Sequence, residues 1–297
     1  MASLKDVQNK ISAVKKTKQI TKAMNMVATS RLRGARVNME NFRPYAGKFS
    51  EVLGSLAQKS AEEANPLLMP REEIRKIHVV LCTSDRGLCG GFNVNLIEKA
   101  QNFVNAKGGE DIEISFTNFG KRGRDWCRKN RMTIENEHID VVGTTIGFNV
   151  AATAGRKLVE GYLSGDYDEV YVVYAEFVSI GKQVPTLMQL LPIPPIETGA
   201  DEGEEEPEEY LAEHICEPSP ESLLGELLPR NVHVQLHRAL LETSTSEHAA
   251  RMAAMDNATS ACNDMIDNLT LVYNKARQAS ITAELMDIVG GAEALKG

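Results

Sequence analysis

The sequence predicts an α/β fold combined with a long antiparallel two-helix coiled coil. The N- and C-terminal helices form the coiled coil, and a central, open, mostly parallel sheet domain is inserted between them. Three observations carry this reading. Near the start, Leu4, Val7, Ile11 and Val14 are spaced like a coiled-coil seam. Near the end, Met255, Ala258, Cys262, Met265, Leu269, Val272, Ala276, Ala279, Ala283 and Met286 keep that alternation unbroken. Between them, KIHVVLCTSD is a β-branched apolar run leading through glycines into a helical stretch, the alternation of a parallel α/β sheet.

Taken in order, residues 1–60 predict one helix. Its pattern resumes after Pro44 through Phe49, Val52, Leu53 and Leu56, so Pro44 either kinks the helix or is absorbed on a solvent face. Residues 75–195 predict the α/β domain. Strands are expected at KIHVVLC, at 112–118 and at 169–177, helices from near Asn93 and over 149–163, and a hairpin-like strand over 186–191. Pro192, Pro194 and Pro195 close that domain. Residues 196–219 predict an acidic linker, because 197–213 hold nine carboxylates and no lysine or arginine, and like charges resist packing.

Residues 220–297 predict the second coiled-coil helix. Pro218, Pro220 and Pro229 bracket a short helical piece, after which nothing breaks a helix. At about 1.5 Å per residue, residues 230–296 would make a rod of roughly 100 Å, which needs a partner helix to be stable. Its last turns carry Ile281, Leu285, Ile288, Val289, Ala292 and Leu295, more apolar surface than one seam uses, so the tip is expected inside another protein.

The charge is uneven. Residues 1–36 hold nine lysines and arginines against the single acid Asp6, a local +8, which leaves −16 on the remainder of a chain whose total is −8. Such polarity points to an acidic partner at one end. No apolar run is long enough to span a membrane, and the start lacks secretory or transit character, so a chain that stays where it is made is expected. Cys82, Cys89, Cys127, Cys216 and Cys262 are odd in number and form no C-x-x-C pair, which argues for a reducing compartment without disulfides or a zinc site.

Several chemical readings fail on spacing. The turn Gly87-Leu88-Cys89-Gly90-Gly91 has neither G-x-G-x-x-G spacing nor the Gly-Lys-Ser/Thr of a P-loop, so it predicts no nucleotide site. His233 and His237 are four apart without a third ligand nearby, and the six histidines are too dispersed to pair with a nucleophile. No catalytic residue, cofactor or metal is therefore expected.

Four blocks, ITKAMNMVATSRLRGA, TSDRGLCGGFN, TSEHAARMAAMDNAT and YNKARQASITAELMDIVGGAEAL, resemble F-type ATP synthase gamma subunits of the bacterial type, in matching order across nearly the whole chain. The resemblance implies a non-catalytic rotor shaft. Its coiled coil would thread a ring of alpha and beta subunits and its foot would stand on the membrane rotor ring beside an epsilon subunit, peripheral to the cytoplasmic side of the cell inner membrane. It implies that Met24, with Lys22, Arg33 and Arg36 around it, faces acidic beta-subunit loops. Asp85, Arg86 and Cys89, with Ser84 and Asn93, would lie on the domain face nearest the shaft or a beta subunit. Arg277, Gln278 and Thr282 match the family's RQAxIT segment, where Gln278 and Thr282 share a helix face and can bond an outside loop. Glu217 falls near the foot, although His214 and Cys216 stand where the family often has aromatic residues, and the chloroplast-type cysteine insertion is missing. A nucleic-acid-binding coiled coil is the competing reading of the basic N-terminal helix, weakened by the lack of aromatic residues in 1–36.

Overall fold

The computed structural model describes residues 4–59, 65–109, 111–194 and 219–294. The acidic stretch 197–213, with His214, Cys216 and Glu217, lies outside them. The elements run α1 (Leu4–Lys59), β1 (Lys76–Cys82), α2 (Phe92–Lys107), β2 (Glu113–Phe119), α3 (Lys121–Lys129), β3 (Thr133–His138), α4 (Phe148–Ser164), β4 (Glu169–Ser179), β5 (Lys182–Leu191) and α5 (Pro220–Ala294). The chain divides into two compact units, residues 1–29 with 251–297, and residues 30–250.

In the second unit the strands form one sheet in the order β3-β2-β1-β4-β5. β1 pairs parallel with β2 and β4, β2 pairs parallel with β3, and β5 closes the edge antiparallel to β4. β1 lies at the middle and is buried from Ile77 to Cys82, as a strand covered on both faces must be. On one face, Val79, Leu81, Phe116 and Val173 pack with Leu96, Ala100 and Phe103 of α2 and with Cys127 of α3. His78 points into the other face, where its ring nitrogens meet Ser115 Oγ at 2.7 Å and Thr117 Oγ1 at 2.9 Å on the neighbouring strand.

Two elements were not expected. α3 reads KRGRDWCRK, too charged to show an apolar period, yet it buries Cys127 and half-buries Trp126 against the sheet. β3 reads TIENEH, and its alternating exposure is that of an edge strand. Gly120 joins β2 to α3 at φ +100°, where a Cβ would collide with the Thr83 carbonyl oxygen, so only glycine fits.

Both internal prolines are absorbed. Pro44 is exposed within α1, as is Glu40, whose carbonyl it leaves unpaired. Pro229 was expected to end a short helical piece, but α5 runs through it from Pro220. Gly225, four residues earlier, is exposed, so water can take the orphaned carbonyl. Within this unit nearly every residue of α5 from Asn231 to Ala249 is buried, the pattern of a helix covered all round.

In the first unit α1 and α5 pair antiparallel. Asn25 Nδ2 donates to the Met252 carbonyl at 2.9 Å, and Thr259 Oγ1 donates to Thr21 Oγ1 at 2.9 Å, so one helix descends as the other rises. On α1 the inward positions are Leu4, Val7, Ile11, Val14, Lys18, Thr21, Asn25 and Ala28, one unbroken seam. On α5 the seam differs in phase from the expected one. Met255, Cys262, Leu269 and Ala276 face inward as expected, but the alternate positions are Thr259, Ile266, Tyr273 and Ser280. Met265 and Val272 stand outside, at 52% and 53% exposure. Steps of three and four share every second position, so the pattern alone permits either branch. The structure takes the one with the larger Ile266 and Tyr273 side chains and the Thr259–Thr21 bond.

Candidate functional site

The described residues singled out from sequence lie chiefly on three surfaces. The first, in the helix pair, is a groove of about 480 Å³ lined by Lys15, Lys18, Gln19, Lys22, Asn263, Ile266 and Asp267. Three lysines against one aspartate make it electropositive. Met24, two residues past Lys22 on α1, is half-buried. In the other unit Arg33 is exposed, Arg36 is paired with Glu40 at 2.7 Å, and Arg31 Nη1 donates to the Gly143 carbonyl at 3.4 Å.

The second surface is the loop between β1 and α2. Ser84 Oγ donates to the Arg86 carbonyl at 2.5 Å, the Ser84 N–H donates to Asn93 Oδ1 at 3.0 Å, and Asn93 Nδ2 donates to Cys89 Sγ at 3.1 Å. Asp85 Oδ1 accepts from the Lys121 N–H at 3.1 Å, so it caps α3 from a distant loop, where a carboxylate also meets the positive helix end. Ser84, Cys89 and Asn93 are buried. They were expected on a contact face, but they build the loop from within. What the loop presents outward is Arg86 and Leu88, the latter 63% exposed and at φ 63°. Leu88 was missed because a lone leucine in a glycine-rich turn carries no periodic signal.

The third surface is the end of α5. Arg277 and Gln278 are exposed, and the Thr282 hydroxyl donates to the Gln278 carbonyl at 2.9 Å, within its own helix. Ser280 is half-buried, and residues 281–292 beyond it are exposed throughout. Ile281, Leu285, Ile288, Val289 and Ala292 form an i, i+4, i+7, i+8, i+11 stripe there. No described helix is long and apolar enough to cross a membrane.

Burial favours the neutral form of four groups inside the α/β unit, His78, His237, Cys82 and Cys127. Burial lowers His78 to about 4, outweighing the attraction of Glu135, and burial lowers His237 to about 4 as well. His237 lies between the rings of Phe42 and Phe148, at centroid distances of 4.7 and 5.4 Å. His233, four residues earlier, packs instead against Gly155. Burial pushes the Cys82 thiol up and the Cys127 thiol to about 11, so neither is a thiolate at neutral pH.

One feature of α5 was missed altogether. Glu242-Thr243-Ser244-Thr245-Ser246-Glu247-His248 is a run of seven polar residues, each buried. Arg238 pairs with Glu242 at 3.0 Å, and His248 Nδ1 lies 2.9 Å from Glu247 Oε2. A polar heptapeptide in a helix reads as a solvated face. The only signal against that was the absence of any lysine or arginine within it.

The family model for ATP synthase matches residues 3–295. The chain is 65% identical to the ATP synthase gamma chain of Desulfosudis oleivorans, with all of both chains covered. It is 61% identical to that of Desulforapulum autotrophicum, covering 99% of this chain and all of the other. Its fold is similar to a chain of the Euglena gracilis mitochondrial ATP synthase OSCP/F1/c-ring structure, with TM-score 0.65 and 18% identity over 98% of this chain and 94% of that one. It is also similar to a chain of the Tetrahymena thermophila mitochondrial ATP synthase central stalk and c-ring structure, with TM-score 0.58 and 22% identity over 80% of this chain and 99% of that one.

Proposed function

The chain belongs to the ATP synthase gamma-chain family, and on that premise we propose that it is the central shaft of an F-type ATP synthase. It couples proton flow through the membrane rotor ring to conformational change at the beta-subunit sites that make or hydrolyse ATP. The observation that supports this best is the end of α5. Past Ser280 the helix presents Ile281, Leu285, Met286, Ile288 and Val289 outward. An apolar stripe without directional bonding groups suits a tip that turns inside a sleeve of alpha and beta subunits.

The other surfaces divide the work. The electropositive groove, Met24, Lys22, Arg33 and Arg36 meet acidic loops of beta subunits. Arg86 and Leu88 give the α/β domain a second contact, with Asp85 and Cys89 holding their loop in shape. Arg277, Gln278 and Thr282 bond a beta-subunit loop near the tip. The foot around Glu217 meets the rotor ring and the epsilon subunit. In this reading residues 1–60 and 220–297 form the shaft, 75–195 the flanking domain and 196–219 the foot. The chain is a linkage without bond-making chemistry, peripheral to the cytoplasmic side of the inner membrane.

The test is reconstitution with alpha and beta subunits, with ATP turnover measured in the presence and absence of this chain. Entry of a single copy into the complex together with a strong rise in cooperative turnover is expected. Replacing both Arg277 and Gln278 with alanine should lower that turnover at least tenfold while the melting temperature of the free chain stays unchanged, since both side chains are exposed. A chain that stays apart from alpha and beta, or binds DNA in a salt-sensitive way, would sink the reading.

A further inference from the structure

We propose that Thr243 and Ser246 are positioning residues that fix α5 to one backbone residue of the sheet, Ala175, and so carry torque between the shaft helix and the α/β domain. The torque half of this rests on the shaft reading above; the fixing contact stands on geometry alone.

β4 outruns its neighbour. β1 pairs with it only as far as Leu81 opposite Val173, whereas β4 continues to Ser179. From Tyr174 onward β4 therefore has a strand on one side only, β5. On that side Ala175 stands opposite Pro185, which has no N–H to give. Residues of an antiparallel pair alternate between those that exchange backbone bonds and those that turn their N–H and C=O away. Ala175 is of the second kind, and its backbone groups face the side that β1 has left open.

α5 takes the place of the missing strand. The Ala175 N–H donates to Thr243 Oγ1 at 3.3 Å, and the Ser246 hydroxyl donates to the Ala175 carbonyl at 3.2 Å. Thr243 and Ser246 are three apart and so share a helix face. The Thr243 hydroxyl hydrogen goes to the Ala239 carbonyl at 2.7 Å, which leaves its oxygen lone pairs free to accept from the sheet. Ala175, Thr243 and Ser246 are all buried, so water cannot replace either bond. A helix thus satisfies both backbone groups of one sheet residue with two side chains.

This contact resists motions that apolar packing does not. Burial of apolar surface is non-directional, so a helix held by it alone slides or rolls a little without much loss. A hydrogen bond weakens steeply as its angle opens or its length grows by about half an ångström. Sliding α5 by one residue, about 1.5 Å, would break both bonds at once. Thr243 and Ser246 consequently act as a pin within an otherwise compliant contact.

Two measurements test the pin. In the free chain, Thr243→Val and Ser246→Ala together should raise the exchange rate of the Ala175 amide at least about tenfold, because its acceptor is gone. Thr245→Val is the control: Thr245 is equally buried but donates only to the Leu241 carbonyl of its own helix, and it should leave that rate unchanged. In the complex with alpha and beta subunits, a bead attached at Lys99→Cys on α2 reports angular fluctuation of the domain during pauses in ATP-driven rotation. The double variant should widen the variance about twofold, because both angle-dependent bonds of the contact are removed. Thr245→Val should not widen it, and neither should Phe116→Leu, a core change that lowers the melting temperature. If the double variant fails to fold, Thr243→Val alone, which still removes the acceptor of the Ala175 N–H, carries both measurements with a smaller widening. Unchanged Ala175 exchange in the variants overturns the pin itself. Altered exchange with unchanged variance overturns the torque role while leaving the shaft reading intact, and a wild-type chain that does not assemble removes the shaft reading and the torque role together.

Discussion

Replacing Ile266 with alanine should destabilise the helix pair far more than replacing its neighbour Met265. Ile266 is half-buried in the seam, whereas Met265 is 52% exposed. Truncating a fully buried isoleucine costs about 2–5 kcal/mol, and partial solvation brings that to about 2 kcal/mol here. Alanine returns roughly 0.4 kcal/mol in helix propensity, for a net loss of about 1.5 kcal/mol. Met265→Ala should fall within about 0.5 kcal/mol of wild type, as for most exposed positions. In thermal melts of the full chain followed by circular dichroism, the first change should lower the melting temperature by about 3–6 °C and the second by about 1 °C or less. Tyr273 against Val272 repeats the comparison one heptad later. Should Met265→Ala cost as much as Ile266→Ala, the helices pair in the phase read from sequence, and the phase assigned from burial is wrong.

Three further outcomes are expected. Pro44→Ala should stabilise the chain by about 1–3 kcal/mol in urea unfolding, since proline on this exposed helix face removes one helical N–H donor; a loss instead would mean that the proline shapes the helix. Gly120→Ala should cost about 2–4 kcal/mol, from the strain of φ +100° and the contact with the Thr83 carbonyl, and a near-neutral result in the same assay would refute the forced geometry. His237 has a folded-state value of about 4, lowered by burial from 6.5. The unfolded chain therefore binds the proton first as pH falls, so the stability that His237 contributes is complete above about pH 6.5 and is lost toward pH 4, at about 1.4 kcal/mol per unit. His237→Phe should remove one proton's worth of that slope, and an unaltered slope would show that the ring titrates freely.

The first seam positions of α1, Leu4 to Val14, and the strands β1, β2 and β4 were legible because each is one-sided or two-sided apolar, whereas Lys18, Thr21 and Asn25 continue the seam without an apolar signal. α3 and β3 were not, because Trp126 and Cys127 are the only large apolar residues of one and Ile134 of the other. Such short, charged elements are specified by the sheet they complete. The phase of the α5 seam was half legible, since both branches pass through Cys262, Leu269 and Ala276, and the true branch contains Thr259 and Ser280, which look polar in a pattern but bury well in a helix pair. At the candidate surfaces, exposure of Arg277 and Gln278 followed from their helix positions. The inward role of Asp85 and Cys89 did not, because it depends on Lys121 and Asn93, which are brought to the loop by folding.

One helix carries two opposite surface chemistries, and each is explained by what it must not do. Between Glu242 and His248, α5 buries polar side chains, which costs stability unless they find partners. Leucines there would pack against the sheet at lower cost and leave the helix free to slip. Threonine and serine give up some of that burial and gain directional bonds to Ala175. Past Ser280 the trade runs the other way. Ile281, Leu285, Ile288 and Val289 have no group that can hold a neighbour at a fixed angle. Exchanging the two chemistries is therefore informative. A polar residue placed on the tip stripe, such as Ile288→Asn, leaves the free chain as stable as before, because the position is already 69% exposed. In the assembled complex the same change gives the tip a bond to make and break at each step, so the expected result is slower turnover with unchanged melting of the free chain. Unaltered turnover would mean that the stripe touches nothing as the shaft turns.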